Sequence, residues 1–243
     1  MASGLRVLVA SPLGRVIATP LKHALDGITV VVADDEAGFV RSVTGKVRFD
    51  VVIADLIWNR PDVEWTFDGL DAIDVLRDAD RMAPVLLATQ GHSMERDHLD
   101  EARLRNEVRG IVKKSDGLEA IVAALNTAAV GERTVIDPTG ACPYPLFGQF
   151  VGQRGTTAGR LAGAIASGNA SDSASLARAA HVSPNTANKV TSHYLGPIIM
   201  RRQEHDPNLQ LTQASVYRWC GLHARYIVSW CRRHGHGDVL GDR

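Results

Sequence analysis

Five apolar runs of strand length, each followed by a stretch of helical spacing, fill the first half of this chain and leave few folds open to it. The runs are Arg6–Ala10, Ile28–Ala33, Phe49–Ala54, Pro84–Ala88 and Gly110–Lys113. They are continuous rather than alternating, as strands covered on both faces are. Between and after them, Leu70, Ile73, Val75 and Leu76 make one apolar stripe, and Leu118, Ile121, Val122 and Leu125 another. Strand-then-helix repeated five times predicts an α/β domain, an open parallel sheet with helices on both faces, because right-handed crossovers put them there.

Val130-Gly131 closes this pattern, so the first domain is expected over residues 1–132. Residues 133–155 read as a linker, because Pro138, Gly140, Pro143, Pro145, Gly148, Gly152 and Gly155 punctuate regular structure. Tyr144, Leu146, Phe147 and Phe150 within it predict that it packs on something. From 156 to 243 the chain reads as all helix. Arg160–Ser167 is stopped by Gly168-Asn169, and a second helix, capped by Asp172 or Ser173, runs through Ala180. A third opens with an N-cap Ser183 and Pro184 at its first position and is ended or kinked at Gly196-Pro197. Thr212–Arg233 is expected as an extended C-terminal helix with Val216, Trp219, Cys220, His223, Ile227, Trp230 and Cys231 on one side.

Composition narrows the class. With 45% apolar and 22% charged residues among 243, the chain is expected to fold rather than stay disordered. Its apolar runs are far shorter than the ~20 residues that span a bilayer, and its opening residues show no signal peptide. The odd number of cysteines, three, without CxxC spacing, argues against a disulfide scaffold or a zinc site and fits a reducing cytoplasm. Residues 1–135 hold 16 basic and 21 acidic side chains, a net −5, while residues 136–243 hold 11 and 6, a net +5. An acidic half joined to a basic one suggests different partners, with nucleic acid the candidate for the second. No Gly-rich phosphate loop, Gly-x-Ser-x-Gly elbow or metal-ligand cluster is visible, so no enzyme and no cofactor are expected.

Chemistry in an open parallel sheet sits beyond the carboxyl ends of its strands. The third, fourth and fifth runs end at Asp55, at Thr89 and at Lys113-Lys114, which brings an acid, a hydroxyl and an amine to one edge. Over residues 4–130 this resembles the flavodoxin-like (βα)5 receiver domain of bacterial response regulators, the output half of two-component systems. The resemblance implies a phosphoacceptor role for Asp55 and switch roles for Thr89 and Lys114. It also implies an acidic pair after the first strand that holds Mg²⁺, but Ser11-Pro12 stand there. The aromatic switch position is Ile111, and fourteen residues rather than about eight separate Asp55 from Gly69. These departures argue against conventional Mg²⁺-dependent phosphorylation. Ser11, Trp58 and Trp65 become candidates to line a pocket for a small apolar or aromatic effector; alternatively the Trp58–Phe67 loop plugs the site.

In the basic half, Leu176-Ala177-Arg178-Ala179-Ala180-His181-Val182-Ser183-Pro184-Asn185-Thr186 has the logic of a helix-turn-helix, with small Ala177 at the crossing and Val182 plugging the turn. Over residues 156–220 it resembles the LuxR/NarL-type DNA-binding domain, with His181 where the turn glycine usually stands. A residue there must take a left-handed conformation. Asn185, Asn188, Lys189 and Ser192 fall on one helical side, suited to base edges. Thr186, His193, Arg201 and Arg202 suit phosphates. The resemblance implies double-stranded promoter DNA and RNA polymerase as partners, and a homodimer paired through the last helix; packing of that helix within one subunit is the alternative. A transcription regulator is the expectation, with a phosphorylation-dependent regulator at Asp55 or a signalling adaptor without DNA as alternatives.

Overall fold

The computed structural model describes residues 4–134 and 141–241. They belong to two compact units that part between Thr139 and Gly140.

In the first unit, β1 (Arg6–Ala10), β2 (Thr29–Ala33), β3 (Val51–Asp55), β4 (Val85–Thr89) and β5 (Val108–Lys113) pair in the order β2-β1-β3-β4-β5. Every pairing is parallel. The expected runs were placed within about two residues of these bounds, the usual uncertainty of an element end. Ala10 lies beside Ala33 and Ala54, Asp55 beside Ala88, and Thr89 beside Lys113, so the carboxyl ends line up along one edge. One face is covered by α1 (Gly14–Ala24) and α5 (Gly117–Ala129). There Ala18, Leu21, Ile121, Leu125 and Ala128 bury Val7, Val9, Val51, Ile53 and Leu86. By the two-residue alternation of a strand, Leu8, Val52, Ala54 and Leu87, also buried, point to the other face.

The remaining helices of this unit are α2 (Glu36–Thr44), α3 (Gly69–Asp78) and α4 (Arg96–Ala102). Asp35 caps α2 by accepting from the Gly38 N–H. Asp68 caps α3 by accepting from Leu70 and Asp71, while the Asp71 carboxylate accepts from the Asp68 N–H. The predicted α3 stripe is buried at Leu70, Ile73 and Leu76.

The second unit corrects the linker reading. Residues 146–155 are not connecting chain: α6 (Leu146–Gln149) is followed by α7 (Gly152–Ala166), with Leu146 and Phe150 fully buried. Pro138 and Gly140 of that expected linker lie outside the described residues. The glycines of α7 serve close approach rather than looseness. A Cβ at Gly159 would lie 2.5 Å from the Trp230 ring, and one at Gly163 would lie 2.5 Å from the Cys231 sulfur. Both partners come from α12 (Ala224–Arg233), the second of two helices that replace the single extended helix expected over Thr212–Arg233. The first, α11 (Gln213–Leu222), ends at His223, whose φ of −101° and ψ of 10° break the helix. The apolar stripe expected to pair protomers is spent inside the unit: Val216, Trp219, Cys220, Ile227, Trp230 and Cys231 are all buried. A dimer would have to use another surface.

Between these lie α8 (Ser173–Ala179), α9 (Pro184–Asn188) and α10 (Leu195–Arg201). Asp172, one of the two expected caps, accepts from the Ser175 N–H. The α8–α9 turn is a Schellman closure, with the His181 N–H on the Arg178 carbonyl and the Val182 N–H on the Ala177 carbonyl. His181 takes the expected left-handed conformation, φ 52°. Gly196-Pro197 do not end the third helix. They sit in the first turn of α10, where a proline's missing N–H is tolerated. The irregularity falls earlier, as a π turn over Val190–Tyr194. Among the described residues, no helix is long and apolar enough to cross a membrane.

Candidate functional site

At the carboxyl edge of the sheet, the end of β3 delivers Asp55, the turn after β1 delivers Ser11, and the turn after β5 delivers Lys114. The Ser11 hydroxyl donates to Asp55 Oδ2 at 2.6 Å, and Lys114 Nζ lies 2.7 Å from Oδ1. Both oxygens of the carboxylate therefore have a partner, and the residue is 5% exposed. Burial pushes the Asp55 carboxyl above its ordinary value, and Lys114 and then Ser11 pull it part of the way back. Thr89 is brought to the same edge, but its hydroxyl donates to the Val112 carbonyl at 3.4 Å rather than to Asp55.

The residues do not fit the magnesium ion that receiver-type sites use. A hard divalent cation needs several oxygen ligands with charge. Ser11 takes up one carboxylate oxygen as a donor, and Lys114 places a cation against the other. Glu95, the acid whose charge reaches Asp55, is held elsewhere: its carboxylate accepts from the N–H groups of Gln90, Gly91 and His92 at 2.7–2.9 Å. Among the described residues no group of three or more His, Cys, Asp or Glu could hold a metal.

The segment after Asp55 is pinched at its base by a bridge between Ile57 and Asp68. Trp58 is a core residue rather than an open lining one. It is fully buried, edge-on to Phe67 at 4.9 Å, and Phe67 in turn meets Phe39 of α2 at 5.6 Å. Trp65 is half-buried. Of the pocket candidates, Ser11 and Trp58 are thus used internally, the first on Asp55 and the second on an aromatic cluster.

In the second unit, Ser183 caps α9 by accepting from the Thr186 N–H, and its hydroxyl also meets the Thr186 hydroxyl at 2.9 Å. Thr186 is half-buried, while Asn185, Asn188, Lys189, Ser192 and His193 are exposed and Ala187 and Val190 are buried beneath them. The continuous helical face expected for these side chains is interrupted. Asn185 and Asn188 lie on α9, but Ser192 and His193 ride the π turn, whose wider spiral rotates them away from ideal i+7 spacing.

Arg201 is exposed and donates to Gln149 Oε1 at 2.9 Å. Arg202 must be removed from the phosphate contacts. Its side chain is wholly buried, donating to both Glu204 oxygens at 2.8 and 2.9 Å and to the Tyr144 carbonyl at 2.9 Å. Trp219 Nε1 donates to the same Glu204. Burial opposes the charge on Glu204, but Arg202 and Trp219 outweigh it and hold the carboxyl below its ordinary value.

Two arginines were missed. Arg154 donates from Nε and Nη2 to the His193 carbonyl. Arg160 joins the Ala180 carbonyl, just before the left-handed His181, to the Asp238 carboxylate at 2.6 Å. The signal for Arg154 was Pro197, which has no N–H to give the carbonyl four residues back. Nothing local marks Arg160, whose partners are 20 and 78 residues away.

No family model matches the sequence, and neither does any curated protein. Solved structures do align with it. The receiver domain of the Francisella response regulator 1452 is 19% identical, over 53% of this chain and 98% of that one, with a TM-score of 0.42. A response regulator receiver domain protein from Clostridium thermocellum is 18% identical, over 52% of this chain and 95% of that one, at 0.42. The RcsB response regulator of Salmonella typhimurium, described in terms of conformational dynamism for DNA interaction, is 15% identical over 89% of this chain and 98% of that one, at 0.47. At such identities the likeness is one of architecture alone. By its own strand order and all-parallel pairing, this chain has a flavodoxin-like receiver fold followed by a helical region.

Proposed function

We propose that this chain is a non-enzymatic DNA-binding transcription regulator whose receiver unit works without Mg²⁺-dependent phosphorylation. The observation that carries the DNA reading is the pair α8 and α9. Its tight turn is closed at a left-handed His181, and a row of exposed Asn185, Asn188, Lys189, Ser192 and His193 stands over a buried apolar underside. Short polar amides and an ammonium at the start of such a helix can meet base edges in a major groove. The reading of the receiver unit is supported by Asp55, whose two oxygens are engaged by Ser11 and Lys114. The aromatic packing of Trp58 favours a receiver unit held in one state over one opened by an effector.

Binding to random duplex, measured across a salt series, tests the first claim. With three phosphates neutralised, the slope of log K on log salt is expected near −3, so a fourfold rise in salt costs about forty-fold in affinity. A flat salt dependence, or no binding at all, would favour the adaptor reading. For the second claim, acetyl phosphate with Mg²⁺ is expected to leave the intact mass unchanged; a phosphoryl adduct lost in Asp55→Ala would restore the conventional mechanism.

A further inference from the structure

The third helix of the basic unit changes its winding partway along. After α9 the backbone opens at Lys189, φ −91° and ψ 9°, then runs through the π turn Val190–Tyr194 before α10 resumes regular winding. Two residues stand where this shape needs them. A Cβ at Gly196 would lie 1.7 Å from the Thr191 carbonyl oxygen, so no side chain fits there without moving the backbone. Pro197 has no N–H and so gives no i→i−4 bond to the His193 carbonyl. Arg154, from α7, fills that place with both Nε and Nη2. A guanidinium fork on one carbonyl is a directional, charge-assisted contact.

Resting on the DNA-binding reading, we propose that Arg154 is a positioning residue: it holds the recognition helix in its π-turned shape and so sets how Ser192 and His193 are presented relative to Asn185, Asn188 and Lys189. A uniform α-helix would place Ser192 seven residues, two turns, from Asn185 on the same side. The π turn breaks that register between the two groups. The chain thus presents two polar faces of different aim on one helix. Arg154 fixes their offset from outside the helix.

The brace lies in an open cleft of about 260 Å³ lined by Gln149, Arg154, Tyr194, Pro197 and Arg201, so removing it need not disturb the core. Amide hydrogen exchange on the full chain tests the structural half directly. In Arg154→Ala the Leu195 amide, bonded to the Val190 carbonyl across the π turn, is expected to exchange on the order of tenfold faster, the scale of one lost charge-assisted bond. The Val182 amide in the α8–α9 turn stays unchanged. Adding Pro197→Ala supplies an N–H for the His193 carbonyl and is expected to restore protection at Leu195. Unchanged exchange in Arg154→Ala, or no recovery in the double variant, would overturn the brace.

Selection of duplexes from a random pool by the same full-length variants tests the functional half. Wild type is expected to enrich a motif; Arg154→Ala is expected to lose preference at one end of it and keep the end that Lys189→Ala loses. An unaltered motif in Arg154→Ala would overturn the positioning role even with faster exchange. If wild type enriches nothing while exchange behaves as expected, it is the DNA reading that fails, and the brace stands as a structural device only.

Discussion

Asp55 ends β3 at the carboxyl edge of the sheet, in surroundings that disfavour its charge. Its pKa in the folded chain lies above the ordinary 3.8, burial being the largest cause. The native state therefore holds a proton that the unfolded chain releases, and stability falls as pH rises from 3.8 through the raised value. Asparagine has no charge to desolvate and can still accept from Ser11. Asp55→Asn is expected to be more stable than wild type at pH 7, with the difference vanishing once pH falls below about 3.8. Urea unfolding at the two pH values checks this; a less stable variant at pH 7 would show that Lys114 outweighs burial. The Asp55–Lys114 pair was legible in the sequence because strand ends fix where those side chains meet. Arg202 was not, because a sequence prints charge and hides burial. The closure after α10, with Gln203 at φ 57°, turns Glu204 back onto the guanidinium two residues before it. Glu204→Ala removes a carboxylate that accepts from buried Arg202 and from Trp219 and is expected to cost the second unit about 1–3 kcal/mol, read as a lower denaturant midpoint.

Among the elements, those set by apolar period were the readable ones. Continuous Val, Ile, Leu and Ala runs gave all five strands, and i, i+3, i+4 stripes gave α3 and α5. Elements whose meaning depends on a neighbour were misread. Glycine signals loops when it supplies a turn, but Gly155, Gly159 and Gly163 recur at four-residue spacing on one side of α7, and the latter two receive Trp230 and Cys231. Gly196-Pro197 reads as a stop, yet both fall in the first turn of α10, and the His193 carbonyl four residues before the proline accepts from Arg154 of another helix. The two kinds of helical glycine can be separated by experiment. Alanine gains about 1 kcal/mol over glycine in a helix, and that gain is expected at Gly221, where a Cβ meets nothing within 4 Å. At Gly159 the methyl would press on a ring already flanked by Phe150 at 4.9 Å and His234 at 4.6 Å, which leaves it little room to yield. Overpacking of this kind costs about 1–3 kcal/mol. The upper end applies here, so Gly159→Ala is expected to lower the unfolding free energy while Gly221→Ala raises it. Equal signs for the two would mean that α7 and α12 can slide apart.

Across the whole molecule, the boundary found between Thr139 and Gly140 sharpens the charge division seen in the sequence, because Asp137 moves to the first unit. That unit then carries 16 basic and 22 acidic side chains, a net −6, and the second carries 11 and 5, a net +6. A chain of zero net charge therefore divides into an acidic unit and a basic unit, each with its own buried apolar residues. On the DNA-binding reading, the charge of the acidic unit opposes the encounter that the basic unit favours. It must then be screened as ionic strength rises, since the Debye length falls from about 30 Å at 0.01 M to about 10 Å at 0.1 M. Residues 141–243 alone are expected to bind random duplex more tightly than the full chain at low salt, with the two affinities converging toward 0.15 M and above. Fluorescence anisotropy on both proteins across that range decides the matter. A gap that persists unscreened would mean that the first unit obstructs the second by contact, and the receiver unit would then act as a steric gate rather than as a charge.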